Sequence, residues 1–220
     1  AWPDELRRCS PDAIRRTGQE YRDHTEFERF CQWLYSRQWD ALRDYARERG
    51  VGMLGDIPIF VAHNSADVWS NQHLFDLEAD GKPRTQSGCP PDTFSKTGQL
   101  WKHPQYRWER HEKGGFAWWL ARFRHMFEQF DAVRIDHFLG FNRVWSVPGR
   151  DRNAKNGRWV KTPGRALFTA LRRELGSLEI VAEDLGAVVP EAVKLRDDFG
   201  FPGMRLLHWA WGDKDEDGRA

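Results

Sequence analysis

Residues 116–136 read FAWWLARFRHMFEQFDAVRID, and this stretch indicates the fold class. Its large apolar residues recur at the three- and four-residue spacing of an amphipathic helix, as at Phe116, Trp119 and Phe123. Directly behind them, residues 131–136 form a short apolar run that is typical of a buried strand. A helix that leads at once into a buried strand is the repeating unit of parallel α/β sheets.

The same unit recurs on both sides of this stretch. Upstream, a capping-box pattern at Thr25 and Glu28 predicts a helix that ends at Gly50, and residues 51–61 follow as a strand buried on both faces. Downstream, the pattern predicts two more helices, the first capped by Thr162, and two more strands: helices over 162–175 and 189–199, strands over 178–183 and 204–210. The sequence therefore predicts an α/β fold with a parallel sheet, and no linker divides residues 1–220.

The composition excludes several classes of protein. The 34 Lys and Arg residues nearly balance the 33 Asp and Glu residues, so the chain has no broad basic field for nucleic acid. No apolar run reaches the roughly 20 residues of a membrane span, and charged residues stand where a signal peptide would be apolar. Three cysteines, Cys9, Cys31 and Cys89, are too few for a disulfide framework and favour a reducing, cytoplasmic setting. Cys31 lies on an apolar helical stripe and is predicted to be a core residue.

Tryptophan is unusually frequent, with 12 copies in 220 residues. One interpretation is a large aromatic core. The other is a set of flat apolar surfaces on which sugar rings stack. Both interpretations stay open at the level of composition.

Residues 63–110 interrupt the alternation of helices and strands. They show no clean period and are rich in Pro, Gly, Trp, Asn and Asp. An irregular connection of this length inside a compact domain is uncommon and usually has a function. We predict an irregular insertion that covers a ligand site.

Acidic residues stand at the ends of three predicted strands. Asp56 lies within the first, Asp136 ends the second, and Glu183 ends the third. In parallel α/β proteins the functional groups sit at the carboxyl ends of strands, so these carboxylates are expected to converge. No His-x-x-x-His or Glu-x-x-His spacing predicts a metal site, and no glycine-rich phosphate loop is present.

Two of these carboxylates fit the roles of a retaining glycosidase. Arg134 lies two residues before Asp136 on the same strand face, and a guanidinium beside a carboxylate favours the ionised form that a nucleophile needs. Glu183 would then stay protonated and donate to a leaving oxygen. The alternatives are a buried ion pair for Asp136 and a turn cap for Glu183, a role that Asp184 could serve equally well.

Six segments of the sequence, taken in order, resemble the signatures of the amylomaltases, glycoside hydrolase family 77. Each segment alone is only moderately specific, but their order and spacing agree from about Gly50 to Trp211. The segments are Gly55–Ala62 with Ser65–Trp69 (GDIPIFVA, SADVW), Pro90–Trp101 (PPDTFSKTGQLW), Val133–Phe138 (VRIDHF), Gly157–Lys161 (GRWVK), Ala182–Gly186 (AEDLG) and Phe201–Met204 (FPGM).

This resemblance implies a 4-α-glucanotransferase that moves α-1,4-glucan segments between maltooligosaccharides, or glucans derived from starch or glycogen. Asp136 looks like the nucleophile and Glu183 like the general acid and base. The resemblance also implies a set of substrate-binding residues and no metal or other cofactor. That set comprises Asp56, Asp92, Gln99, Trp101, Arg134 and His137. The loop departs from the family pattern at Thr93 and at residues 102–104, which affects the contacts expected with the acceptor.

The resemblance further implies an incomplete catalytic domain. The family's first barrel strands and its third carboxylate, in a downstream His-Asp motif, have no counterpart in residues 1–220. We therefore expect part of a (β/α)8 TIM barrel, about strands three to six, that is inactive alone, since a whole barrel needs about 250 residues. Two alternative functions stay open. One is another retaining enzyme of the α-amylase superfamily, which the Pro90–Trp101 loop disfavours. The other is a non-catalytic carbohydrate-binding barrel, which the presence of both Asp136 and Glu183 disfavours.

Overall fold

Helices and strands alternate along the chain as the sequence predicts. The computed structural model describes residues 2–186 and 189–207. The helices are α1 (Asp4–Arg7), α2 (Pro11–Glu20), α3 (Arg22–Arg47), α4 (Ala66–Ser70), α5 (Trp108–Lys113), α6 (Ala117–Gln129), α7 (Gly164–Leu175) and α8 (Pro190–Asp198). The strands are β1 (Leu54–Pro58), β2 (Thr85–Cys89), β3 (Gln99–Pro104), β4 (Ala132–Asp136), β5 (Arg143–Pro148), β6 (Arg158–Lys161) and β7 (Ile180–Ala182). None of the helices in this part of the chain is both long enough and apolar enough to cross a membrane.

A parallel sheet with the strand order β1-β4-β7 forms the centre of the fold, which confirms the predicted α/β class. Its registers place Asp56 beside Arg134, and Ile135 beside Ala182. Because all three strands run the same way, their carboxyl ends share one edge. Gly55 is required in β1, since a Cβ atom there would lie 2.4 Å from the ring of Phe130 behind α6.

Two predictions about the strands were wrong. Strand β1 is not buried on both faces: Gly55 and Ile57 are buried, whereas Asp56 lies on an exposed face. A strand was predicted over residues 204–210. Residues 204–207 do not form a strand, and residues 208–210 lie outside the described part of the chain. Gly203 instead forms an isolated parallel bridge with Ala182 of β7.

An antiparallel sheet with the order β3-β2-β5-β6 lies beside the parallel sheet, and the sequence did not predict it. It pairs two strands from residues 63–110 with two strands from residues 143–161. Strand β2 reads TQSGC, so it lacks the apolar alternation by which a strand is recognised. Its stability comes from backbone pairing with distant residues, and residues 63–110 are therefore more regular than their composition indicates.

Helix α3 differs from its prediction at its start and in its burial. It begins at Arg22, and Thr25 donates its hydroxyl proton to the Tyr21 carbonyl oxygen one turn earlier, so Thr25 is not a cap. Helix α7 likewise begins after Pro163 and not after a Thr162 cap. The expected core stripe of α3, including Cys31, is exposed. The contacts of α3 with the α6 end and β4 start lie in its second half: Trp39 Nε1 donates to the Gln129 carbonyl oxygen at 3.0 Å, and Arg47 pairs with Asp131 at 2.6 Å.

His111 makes the stability of the fold depend on pH. Burial in an aromatic cluster lowers the pKa of His111 to about 4 from an ordinary 6.5. The unfolded chain therefore takes up the proton first, so the contribution to stability is complete above pH 6.5 and is lost as the pH falls toward 4, by about 3 kcal/mol. We expect His111→Gln, which can still donate to the Leu74 carbonyl oxygen, to flatten this dependence. Urea unfolding of the full-length protein at pH 7, 6 and 5 measures it, and an equally steep loss in the variant would contradict the assignment.

Candidate active site

The three predicted carboxylates lie along the shared carboxyl edge of the parallel sheet. Asp56 is in β1, Asp136 is the last residue of β4, and Glu183 follows β7 directly. Their backbones are tied together, because the Glu183 N–H donates to the Ile135 carbonyl oxygen at 2.9 Å and the Phe138 N–H donates to the Glu183 carbonyl oxygen at 3.0 Å. The structure thus brings the ends of β4 and β7 into direct contact.

Arg134 joins two of these carboxylates. Its Nη1 donates to Asp56 Oδ1 at 2.6 Å and its Nη2 to Asp136 Oδ1 at 2.8 Å. Burial alone would lower the pKa of Arg134, but hydrogen bonds and charges from Asp56 and Asp136 outweigh burial and raise it. The side chain of Asp136 is 46 % exposed. The group is therefore an accessible, charge-compensated carboxylate and not the buried ion pair of the alternative interpretation.

Glu183 is held by backbone donors on both sides. The His137 N–H donates to Oε2 at 2.8 Å, and the Leu185 N–H donates to Oε1 at 3.1 Å. The hydrogen bond from Leu185 caps the turn after β7, which is the alternative role that the sequence left open for Glu183. The neighbouring Asp184 makes different contacts. Its side chain accepts the Met204 N–H at 2.9 Å and pairs with Arg196, which anchors the chain after β7.

The conformation of His137 explains its contact with Glu183. His137 has φ 54° and ψ 53°, in the left-handed region that residues other than glycine rarely adopt. This turn directs its N–H toward the Glu183 carboxylate at the end of the neighbouring strand. Burial lowers the pKa of His137, and the charge of Asp136 offsets this only in part, so the imidazole is neutral at pH 7. A neutral ring can both donate and accept hydrogen bonds with a sugar hydroxyl.

A cleft of about 680 Å³ opens beside this edge of the sheet. Asp92, Gln99, His137 and Glu183 all line it. Its volume is in the range of small-molecule sites. The structure therefore brings four of the predicted site residues together around one space. Asp56, Arg134 and Asp136 lie at the adjoining strand ends and do not form its described lining.

Trp101 lies next to the cleft and packs on His137. The two rings meet edge to face, with centroids 4.9 Å apart, and Trp101 Nε1 donates to Gln99 Oε1 at 3.2 Å. Trp101 also approaches Phe60 at 6.2 Å. These contacts fix the position of His137 from the side of the antiparallel sheet.

Asp92 shapes the loop that faces the cleft. Its Oδ1 accepts the N–H groups of Phe94 at 2.9 Å and Ser95 at 2.6 Å, which closes a tight turn. The loop returns through Gly98, whose φ is +68° and where a Cβ atom would lie 2.4 Å from the Cys89 carbonyl oxygen. The loop conformation thus depends on Asp92, which the resemblance assigned to substrate binding.

The cleft also contains residues to which the sequence assigned no role. Trp159 and Arg143 line it, and Trp159 lies in the 157–161 segment that carried part of the resemblance. Cys89 lines it as well, but burial, followed by the charges of Asp92 and Glu183, raises the pKa of its thiol to about 11. Cys89 is therefore not a nucleophile at neutral pH. In residues 2–186 and 189–207, no three His, Cys, Asp or Glu side chains are grouped as a metal site would require.

Sequence comparison identifies curated relatives of this chain. The sequence is 45 % identical to the 4-alpha-glucanotransferase of Aquifex aeolicus over 216 residues, which are 98 % of this chain and 44 % of that protein. It is 44 % identical to the 4-alpha-glucanotransferase of Thermus thermophilus over 212 residues, 96 % of this chain and 42 % of that protein. The chain thus spans less than half the length of these relatives.

A solved structure gives the same result. The amylomaltase from Streptococcus agalactiae in complex with acarbose matches with a TM-score of 0.92 at 35 % identity, over 96 % of this chain and 43 % of that chain. The model of glycoside hydrolase family 77, described as 4-alpha-glucanotransferase, matches residues 1–220. From the strand-end carboxylates, the relatives and the family match together, we conclude that the chain belongs to glycoside hydrolase family 77.

Proposed function

We propose that the full-length protein containing this chain is a 4-α-glucanotransferase that works by a retaining double displacement. The observation that carries the proposal is the placement of Asp136 and Glu183 at one sheet edge, with Arg134 compensating the charge of Asp136. Maltooligosaccharides and α-1,4-glucans derived from starch or glycogen are its substrates. The named activity of the relatives and the acarbose bound to the similar amylomaltase support this substrate class.

In the first half-reaction, a carboxylate oxygen of Asp136 attacks the anomeric carbon of the donor glucan. The bond from that carbon to the glycosidic oxygen breaks, and Glu183 gives its proton to the departing oxygen. Arg134 holds Asp136 in place and compensates its charge. Because both oxygens of Glu183 accept backbone N–H groups, proton donation requires one of these hydrogen bonds to give way to the glycosidic oxygen.

In the second half-reaction, Glu183 takes the proton from the 4-hydroxyl group of an acceptor glucan. The acceptor oxygen attacks the anomeric carbon and releases Asp136. Asp56, Asp92, Gln99 and His137 are assigned to sugar hydroxyls in these steps. Transfer wins over hydrolysis only if an acceptor is held in place and water is held off, and the insertion 63–110 is the part that we assign to this covering role.

Trp101 provides a test of that covering role. Trp101 packs against His137 beside the cleft, so its removal should loosen the wall that excludes water. We expect Trp101→Ala to raise the ratio of glucose release by hydrolysis to new-bond formation several-fold, whereas Trp101→Phe should keep most of the transfer. Product analysis by chromatography measures the ratio. If both rates fall together and the ratio is unchanged, Trp101 has only a structural role.

We further propose that residues 1–220 form an incomplete (β/α)8 barrel domain, covering about strands three to six, that is inactive alone. The parallel sheet, the less than half coverage of the relatives and the exposed apolar stripe of α3 support this. We place the enzyme in the cytoplasm, on the strength of the few cysteines. The predicted outcome for the isolated chain is poor solubility and no measurable transfer, whereas an active, monodisperse preparation would contradict the proposal.

Incubation of the full-length protein with maltotriose tests the proposed function. A 4-α-glucanotransferase produces glucose together with maltopentaose and longer oligosaccharides. A hydrolase produces only shorter sugars, and a branching enzyme leaves α-1,6 linkages that a debranching enzyme removes. A non-catalytic binding protein leaves maltotriose unchanged. Any of these last three results would refute the proposal.

A further inference from the structure

Trp159 is a tryptophan in the described lining of the cleft. The described lining contains Glu183, Asp92 and Gln99 together with this one tryptophan, whereas Trp101 lies outside it. Trp159 is 37 % exposed, so part of its ring is open to a ligand. In a cleft whose other walls carry carboxylate and amide groups, it provides a large flat apolar surface.

The indole of Trp159 is held in position by two neighbouring side chains. The Arg143 guanidinium lies 4.5 Å from the ring centroid, and Trp145 meets the ring at 5.3 Å with an interplanar angle of 69°. Trp145 is itself anchored, because its Nε1 donates to the Ala154 carbonyl oxygen at 2.9 Å. Gly157 allows this packing, since a Cβ atom there would lie 2.2 Å from the Trp145 indole nitrogen. A held ring loses little entropy when a ligand stacks on it.

The position of the cleft indicates which part of the glucan meets Trp159. Glu183 lines the cleft, whereas Asp136 does not. A general acid contacts the oxygen of the departing sugar, and the nucleophile contacts the opposite side of the scissile bond. The space beyond Glu183 is therefore the side of the leaving group, which the acceptor occupies in the second half-reaction.

We propose that Trp159 is a specificity-determining residue that stacks against a glucose ring of the departing and incoming glucan, with Arg143 and Trp145 as its support. Arg143, which also lines the cleft, packs on the indole, and the sugar contacts the part of the ring that stays exposed. Asp92 and Gln99, which line the same cleft, offer hydrogen bonds to the hydroxyls of the same ring. This inference rests on the proposed transferase function and adds to it the residue that selects the acceptor.

The test separates the two half-reactions in the full-length protein. With α-maltosyl fluoride as donor, the leaving group places no glucose ring on the acceptor side, so the burst of fluoride release in the first turnover reports the attack of Asp136 alone. Transfer to maltose then reports acceptor binding. In Trp159→Ala we expect fluoride release to stay within about twofold of the unsubstituted protein, while KM for maltose as acceptor rises about tenfold.

Trp159→Phe and Arg158→Ala serve as matched variants. Phe keeps an aromatic face and should show an intermediate rise in KM. Arg158 precedes Trp159 in β6, so its side chain is on the opposite face of the strand, and its removal should change neither rate. An unchanged KM in Trp159→Ala, or an equal loss of fluoride release and transfer in both Trp159 variants, would overturn the inference alone. A full-length protein that transfers nothing from maltotriose would overturn the inference and the proposed function together.

Discussion

Replacing Asp136 with Asn in the full-length protein is expected to abolish turnover of maltotriose, with a loss in kcat of about 10⁴-fold or more. An amide cannot form the glycosyl ester, so neither half-reaction can proceed. The proposed nucleophile, Asp136, is about half exposed, and Arg134 compensates its charge. Initial rates of glucose release and of new oligosaccharide formation measure the effect.

Asp56→Asn is the matched control for Asp136→Asn. Asp56 pairs with the same guanidinium at 2.6 Å, so its substitution disturbs the same ion-pair group without removing the proposed nucleophile. We expect a much smaller loss, since Asp56 is assigned only to substrate binding. Trapping with a fluorinated glucosyl fluoride and mass spectrometry of the peptides should place the sugar on Asp136. Substantial activity in Asp136→Asn, or a sugar found on Asp56, would refute the assignment of the nucleophile.

Glu183→Gln is expected to lower turnover of maltotriose by about 10³-fold, because the leaving oxygen no longer receives a proton. With α-maltosyl fluoride, whose fluoride leaves without protonation, the first half-reaction should recover most of its rate. The second should stay slow, since the acceptor hydroxyl still needs a base. Gln also gives up one of the two backbone hydrogen bonds at this position, because its amide nitrogen cannot accept an N–H.

Asp184→Asn separates acid catalysis from structural support. Asp184 is adjacent to Glu183 and also lines the cleft, but its carboxylate accepts the Met204 N–H and pairs with Arg196. We expect it to lower the melting temperature while the ratio of rates on maltotriose and α-maltosyl fluoride stays unchanged. Equal losses on both donors in Glu183→Gln would show that Glu183 supports the turn and is not the acid.

Much of the site could be read from sequence because its elements are local. Apolar spacing predicted α6, α8 and the strands β4 and β7, and a carboxylate at the end of a parallel strand has its position determined by that strand. The α/β class and the common edge of Asp56, Asp136 and Glu183 followed from these patterns. In each case the evidence lies within about a dozen consecutive residues.

The rest was decided by contacts between residues far apart in the sequence. Arg134 pairs with Asp56 because β1 and β4 are neighbours in register, and the antiparallel sheet forms because β2 and β5, which are distant in sequence, pair at its centre. Strand β2, which reads TQSGC, lacks the apolar alternation that would have predicted this pairing. Helix α3 shows that spacing predicts a helix but not its burial. The spacing of its apolar residues predicted the helix correctly, but burial depends on what packs against them, and in the described structure Cys31 is exposed.

Sequence determined which chemical groups are present and on which strands they lie. Tertiary structure decided that Glu183 is held by two backbone N–H groups and that Trp159 lines the same cleft. The physical reason is that these contacts depend on the relative placement of separate strands and turns, which no single stretch of residues specifies.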